Sequence, residues 1–270
     1  MKRKYMAMRL GIVAAAIAAF AMLAPLAQAD TPKPGYTQFA GCPSPKEDPK
    51  VEFCIRSTVK GGHFQMGSKD VPITNPITVS GGAYPDGSLH ATSKGGMTVV
   101  KQKVPGGVVG LTGLTWLLEL FGSEALTLYA ATELAGQPNI GETLSLPIKV
   151  HLINPVLGNN CYVGSVSNPI KLNMTTGTTS PPPPNKPITG TFPEEFHVDA
   201  LGIIHANKAK YVDNSFAAPG ASGCTLTLFG FIPISINGLV NSQSGLPSAA
   251  GKNETIQNID AELVQPSLAY

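Results

Sequence analysis

The chain has 270 residues, with 19 lysines and arginines against 17 aspartates and glutamates, and only 13% of its residues are charged. An ordinary soluble domain carries about 25% charged residues, so polar uncharged side chains must form much of this surface. The near balance of charge argues against nucleic acid as a partner, because binding to phosphate backbones requires a basic excess.

Residues 1–29 have the order of an export signal. Four basic residues lie within the first nine positions, an apolar stretch covers 10–26, and the segment closes in Ala27-Gln28-Ala29, which suits a signal peptidase. The apolar stretch is shorter than the ~20 residues of a spanning helix, although a retained membrane anchor is the alternative. We therefore predict a cleaved signal, no transmembrane segment in the mature chain, and a secreted, extracellular or cell-wall location.

Residues 30–50 are rich in proline, lysine and aspartate and poor in apolar residues. Such a composition is typical of an extended segment. We predict an N-terminal tether here, held where Cys42 is cross-linked, followed by a β-rich secreted domain over 51–270 with a possible internal boundary near 155–160.

The four cysteines all lie beyond the predicted signal, at positions 42, 54, 161 and 224. An even number of cysteines in an exported protein indicates disulfides. Of the three possible pairings we favour Cys42 with Cys54 and Cys161 with Cys224, because each pair lies within one half of the chain. A zinc site is the alternative, but the chain has no C-x-x-C pair.

Apolar and polar residues alternate along several stretches, as in half-buried antiparallel strands. The clearest run is 144–152, and further runs are 71–79, 126–134, 170–174, 196–200, 225–236 and 259–263. The pattern predicts an all-β, antiparallel, sandwich-like fold of one or two modules. Four prolines in or beside these runs predict edge strands or bulges, and Asn237-Gly238 predicts a hairpin turn; the prolines are Pro72, Pro76, Pro147 and Pro233.

A short apolar helix is predicted near 111–122. Its apolar residues fall at helical spacing, and the only tryptophan, Trp116, lies beside them. One interpretation is a lid or plug that covers a ligand cavity or contacts lipid, with Trp116, Leu117 and Phe121 as ligand-binding candidates. The other is an ordinary helix packed on a sheet.

The sequence contains no recognisable catalytic or cofactor motif. The best constellation surrounds His197 and Asp199, which would share one face of a strand and could act as a general base with its orienting group, or as metal ligands. A solvated strand face is the simpler interpretation, so we predict no metal and no cofactor. The neighbouring polar residues are Glu194, Glu195 and His205.

The second half of the chain contains several distinctive short segments, namely Cys161-Tyr162-Val163-Gly164-Ser165, Thr176-Gly177-Thr178-Thr179-Ser180 with the prolines that follow, 213–220 and 245–251. In these segments, over about the last 120 residues, the chain resembles a group of secreted actinobacterial proteins with no assigned activity. The resemblance implies a Gram-positive, extracellular or cell-wall setting, in which N-glycosylation at Asn173 or Asn253 is not expected.

Taken together, the sequence favours a non-enzymatic extracellular or cell-envelope protein that binds an apolar ligand, a lipid surface or an envelope component. The first alternative is a secreted hydrolase or metal-dependent enzyme that uses His197 and Asp199. It requires these side chains to converge with a third polar group, from His151 or His205, in a concave pocket. The second alternative is a structural cell-wall component, which needs no pocket.

Overall fold

The computed structural model describes residues 30–141, 143–228 and 232–270, and the predicted signal, 1–29, lies outside these residues. The described chain is mostly β, with antiparallel strand pairs and short helices, which confirms the predicted all-β, sandwich-like fold. The strands are β1 (Phe53–Met66), β2 (Lys69–Pro72), β3 (Ile77–Ala83), β4 (Leu89–His90), β5 (Gly96–Met97), β6 (Lys101–Lys103), β7 (Tyr129–Leu134), β8 (Asn139–Ile140), β9 (Leu144–Ile153), β10 (Tyr162–Val163), β11 (Ile170–Met174), β12 (Glu195–Val198), β13 (Ile204–Asp213), β14 (Ala221–Ser222), β15 (Thr225–Leu228), β16 (Ile232–Ser235) and β17 (Glu254–Val264). The helices are α1 (Gly107–Thr112), α2 (Leu117–Ala125), α3 (Asn237–Ser244) and α4 (Pro266–Ala269), with 3-10 helices at Thr37–Phe39 and Pro155–Leu157.

The first sheet, sheet A, joins the two ends of the chain. Its strand order is β12-β13-β17-β1-β3-β4, with β2 beside β1 and β5 beside β3. The register between β1 and β17 shifts between Val59 and Gly61. Such a bulge changes which residues face inward. Val59, before the bulge, and Phe64 and Met66, after it, therefore lie on the same inner face of the sheet.

The second sheet, sheet B, is built around β9. Its order is β14-β10-β9-β7-β6, and β8 and β11 also pair with β9. The prediction that proline-bearing strands lie at edges or bulges is wrong for β9, which is central and contains Pro147. Pro147 has no backbone N–H to donate to a neighbouring strand. The sheet tolerates this because Pro147 lies opposite the gap between β7, which ends at Leu134, and β8, which begins at Asn139.

The main core lies between the two sheets. The inward residues of β9, among them Leu146, Ile148 and Val150, are buried, while Lys149 and His151 alternate with them on the outer face. Phe64 and Met66 of sheet A pack against this cluster. The alternation predicted for 144–152 is therefore confirmed, and it explains why the two sheets associate: each contributes one apolar face.

Both predicted disulfides are present. Cys42 is bonded to Cys54 and Cys161 to Cys224. The segment predicted as an extended tether is instead packed against the rest of the chain. Phe39 is completely buried, and the Tyr270 hydroxyl donates to the Cys42 carbonyl at 2.5 Å. The N-terminal and C-terminal segments thus form a small second core beside β1.

The apolar helix predicted near 111–122 is two helices. The chain adopts a left-handed conformation at Gly113 (φ 74°), which ends α1, and α2 begins at Leu117 with a kink at Gly122. Glycine accommodates this conformation because it has no Cβ. The segment therefore does not form one continuous helix with a single apolar face.

Two further sequence predictions are wrong in detail. The run 225–236 is a hairpin of β15 and β16 and not one strand, and these two strands form a sheet of their own. Asn237-Gly238 starts α3 instead of a hairpin turn. The Asn237 side chain accepts a hydrogen bond from the Cys224 backbone N–H at 2.8 Å, so this asparagine connects the helix to the disulfide.

Candidate binding site

An apolar cavity of about 80 Å³ lies between the two sheets. We call it the inter-sheet cavity. Sheet A contributes side chains from β1, β2, β3, β5 and β17, and sheet B contributes side chains from β6, β7, β8, β9 and β11. The aliphatic and sulfur-containing residues that line it include Val59, Phe64, Met66, Val71, Ile73, Ile77, Val79, Met97, Ile140, Leu144, Leu146, Ile148, Val150, Leu172 and Ile259.

The cavity has few polar groups. Gln102 is hydrogen-bonded at both ends of its side-chain amide. Its carbonyl oxygen accepts from the backbone N–H groups of Thr74 and Asn75 at 2.9 and 3.0 Å, and its NH2 group donates to the Asn75 carbonyl at 2.7 Å. Gln257 donates to the Thr255 hydroxyl at 3.3 Å. Apart from the hydroxyls of Ser57 and Thr132, the remaining lining is apolar, and a space of this kind accepts apolar molecules.

A second cavity, of about 40 Å³, adjoins the first. We call it the far cavity. It lies beneath α1 and is lined by Leu111 of that helix, by Val163 and by Leu246. The two cavities have five lining residues in common, which we call the partition: Phe64, Met66, Val71, Ala130 and Val150.

The far cavity is almost wholly apolar, although Ser244 and Lys69 are among its lining residues. Ser244, at the end of α3, is 1% exposed, and its hydroxyl has no hydrogen-bond partner among the described residues. Lys69 also lines this cavity and donates from Nζ to the Gly110 carbonyl at 2.7 Å. A buried hydroxyl without a partner costs about 1–3 kcal/mol.

The ligand-binding candidates on α2 lie outside both cavities. Leu117 is completely buried in the main core, whereas Trp116 and Phe121 are each 43% exposed. None of the three lines the inter-sheet cavity or the far cavity. A role of these residues in ligand binding therefore stays a prediction. Because Trp116 and Phe121 are exposed, a contact at the protein surface explains them better than a contact inside a cavity.

His197 and Asp199 do come near a third polar group, which is His205 and not His151. The rings of His197 and His205 stack with centroids 4.7 Å apart, and His205 Nε2 is 3.3 Å from Asp199 Oδ2. The other carboxylate oxygen of Asp199 accepts from the N–H groups of Leu201 and Ile203, each at 2.9 Å. The Ile203 hydrogen bond is the main reason that the pKa of Asp199 lies below its usual value.

This histidine cluster lies on an exposed surface. All four residues of β12 are exposed, Glu195 pairs with Lys208, and none of the cluster residues lines the two cavities. Asp199 serves mainly to close the turn after β12. The arrangement could exchange a proton between His205 and Asp199, but the concave pocket that an enzyme site requires is not among the cavities described above.

His151 lies on the outer face of sheet B. Its ring stacks on Tyr162 with centroids 4.2 Å apart, and Glu133 lies between His151 and Lys149, 3.0 Å from the Lys149 ammonium. Hydrogen bonding to Glu133 raises the pKa of Lys149. This cluster ties β7, β9 and β10 together from outside and is separate from the His197 cluster on sheet A.

Within 30–141, 143–228 and 232–270, no group of three or more His, Cys, Asp or Glu side chains is placed to hold a metal ion. Among the same residues, no helix combines the length and the apolar character needed to cross a membrane. Comparison with models of protein families, with curated proteins and with solved structures finds no match to the chain.

Proposed function

We propose that this is a secreted, non-enzymatic protein of the extracellular space or cell envelope that binds the end of a slender apolar molecule between its two sheets. The inter-sheet cavity supports the proposal, because an apolar space of about 80 Å³ between two sheets departs from the close packing of ordinary cores. The cavity favours this function over a structural wall component, which needs no pocket.

The setting of the proposed function rests on separate observations. Two disulfides indicate an oxidising environment. The export signal predicted for 1–29 and the resemblance to secreted actinobacterial proteins support release from a Gram-positive cell. The hydrolase alternative takes second place, because His197 and Asp199 lie on an exposed surface away from the cavity.

Blocking the cavity is expected to weaken ligand binding. Val79 lines the cavity from β3 and is half-buried, so in Val79→Trp the indole would fill the space that the ligand needs. We expect dodecanol to bind the wild-type protein and to bind Val79→Trp at least about tenfold more weakly, which corresponds to a loss of about 1.4 kcal/mol. Isothermal titration calorimetry measures both affinities.

The matched control is Thr78→Trp. Thr78 is the preceding residue of the same strand, is also half-buried, and does not line the cavity. Its affinity for dodecanol should equal that of the wild type. Equal binding by all three proteins, or no binding by any, would show that the inter-sheet cavity is not the site.

A second candidate function, contact with a lipid surface, is favoured by the exposed apolar side chains of α2. This helix carries two glutamates, and no lysine or arginine occurs between Lys103 and Lys149, so an uncharged or zwitterionic surface suits it better than an anionic one. The hairpin of β15 and β16 projects Ile232 and Ile234 from the same region. The exposed apolar residues of the helical segment are Trp116, Leu118, Leu120 and Phe121.

Both elements are anchored at one turn. Asn154 donates to the carbonyls of Ala125 and Thr127, at the end of α2, at 2.8 Å each. Strand β15 packs on the 3-10 helix Pro155–Leu157 that follows Asn154. The helix and the hairpin therefore extend from the same end of sheet B, as a surface-docking region would.

Because Trp116 is the only tryptophan, its fluorescence reports directly on this contact. We expect phosphatidylcholine vesicles to shift the Trp116 emission to shorter wavelength, and we expect the double variant Leu120→Asp, Phe121→Asp to lose that shift. Val166→Asp, which removes another highly exposed apolar side chain, should retain it. An emission maximum unchanged by vesicles in the wild type would refute lipid contact through α2.

A further inference from the structure

A third space lies on the outer side of β11 and shares no lining residue with the two apolar cavities. Its volume is about 320 Å³, which falls within the range of about 300–1,000 Å³ that is typical of ligand pockets. We call it the polar pocket, because every lining residue except Phe216 has a polar side chain. The others are Thr143, Lys171, Asn173, Thr175, Thr178, Thr179, Ser180, Asp213 and Ser215.

Strand pairing brings the polar side chains of this pocket together. The inward residues of β11 are buried in the main core, so the alternating Lys171 and Asn173 point outward. Directly after β11, Thr175 pairs with Val212 near the end of β13. The next residue of β13, Asp213, therefore lies beside β11, and its Oδ2 accepts from the Asn173 backbone N–H at 2.7 Å.

Asp213 is the buried acceptor of the polar pocket. Its exposed fraction is only 2%, and its second oxygen, Oδ1, accepts from the Ser215 backbone N–H at 2.8 Å. The described residues thus supply each carboxylate oxygen with one hydrogen bond, whereas each oxygen can accept two. The carboxylate can therefore accept further hydrogen bonds from the hydroxyl groups of a ligand.

The charges of the pocket favour a neutral ligand. Lys171 is exposed, and it takes part in none of the ion pairs that the described residues form. Its ammonium would repel a cation, and the Asp213 carboxylate would repel an anion. Both side chains can instead form hydrogen bonds with an uncharged molecule that carries several hydroxyl groups.

One wall of the pocket is a loop, 176–190, that the fold holds in place. Residues 178–180 of this loop line the pocket. The Thr179 N–H donates to the Ile188 carbonyl at 2.9 Å, and the Asn185 side chain donates to two backbone carbonyls outside the loop, at 2.8 and 3.0 Å. A ligand that enters a preformed pocket pays little for ordering it.

We propose that the polar pocket binds one neutral sugar residue of an extracellular or envelope glycan. The hydroxyl groups of the sugar ring donate to Asp213 and accept from Lys171 and Asn173. Phe216 forms the apolar part of the wall, which suits the C–H groups of the ring. This site goes beyond the proposed function, because it is separate from the inter-sheet cavity and takes a different class of molecule.

The test titrates the protein calorimetrically with three oligosaccharides. Cellotetraose and chitotetraose are neutral, and tetragalacturonic acid carries a carboxylate on each ring. We expect at least one of the neutral oligosaccharides to bind, and we expect the acid to bind at least about tenfold more weakly than the better of the two, because the Asp213 carboxylate repels it.

Asn173→Ala tests the location of the site. The variant removes the side-chain amide that contacts the sugar, so affinity for the neutral oligosaccharide should fall about tenfold. The matched control is Asn159→Ala, which removes another exposed asparagine outside the polar pocket and should bind as the wild type does. Asn173→Ala should also bind dodecanol like the wild type, because Asn173 does not line the inter-sheet cavity.

Three results would overturn the proposal. They are a wild type that binds neither cellotetraose nor chitotetraose, a wild type that binds tetragalacturonic acid as tightly as the better neutral oligosaccharide, and equal sugar binding by Asn173→Ala and Asn159→Ala. None of them concerns the apolar site, which the dodecanol titration tests separately. Val79→Trp should lose dodecanol and keep its affinity for the sugar.

Discussion

Replacing Cys161 and Cys224 together with alanine is expected to lower the free energy of unfolding by about 4 kcal/mol. The two residues are 63 positions apart, and both are completely buried in the main core. In the chain-entropy model, such a cross-link stabilises the fold because it removes many conformations from the unfolded chain. Urea unfolding of the wild type and the variant, followed by circular dichroism, measures the difference.

The other disulfide provides the matched control. Cys42 and Cys54 are 12 positions apart, so the same change there should cost only about 3 kcal/mol. A greater loss from the shorter loop would show that the chain-entropy account does not describe this protein.

Replacing Asn253 with alanine should cost about 2–3 kcal/mol, because it leaves the Gly67 N–H and the Phe216 carbonyl without their hydrogen-bond partner. Asn253 is 0% exposed. Its side-chain oxygen accepts from the Gly67 N–H at 3.0 Å, and its amide donates to the carbonyls of Phe216 and Ala249 at 2.8 and 3.1 Å. One side chain thus joins the turn after β1 to two loops of the second half of the chain.

Asn173→Ala is the natural comparison, because Asn173 is the asparagine of the other N-x-T triplet and its side chain is exposed. Its loss should change the free energy of unfolding by less than about 0.5 kcal/mol. The same urea titration serves for both variants. Equal effects at the two positions would mean that the hydrogen bonds of Asn253 contribute little to stability.

The fold was predictable where one local rule decides the outcome. Strand β9 follows from the alternation of Leu146, Ile148 and Val150 with polar neighbours, because a strand with one buried face can satisfy that pattern in only one register. The disulfide pairing followed from sequence distance. The run 225–236 was not predictable as a hairpin, because an apolar run by itself does not show where the chain reverses.

The candidate site was less predictable for a physical reason. Alternation identifies the inward residues of β9, but it does not reveal how far the opposite sheet stands from them. The residues that line the inter-sheet cavity are far apart in the chain, and Val79 and Leu172 lie on strands of different sheets. The pairing of His197 with His205 could be expected from strand pairing, whereas their exposed position depends on β12 being an edge strand.

The central claim is that the protein binds an apolar ligand between its sheets, and native mass spectrometry of the purified protein tests it most directly. Protein collected from the culture medium of a Gram-positive host should carry a bound apolar molecule that organic solvent extracts. Val79→Trp, purified in the same way, should lack it. A wild-type protein with no bound molecule, which also fails to take up added dodecanol, would contradict the proposed function.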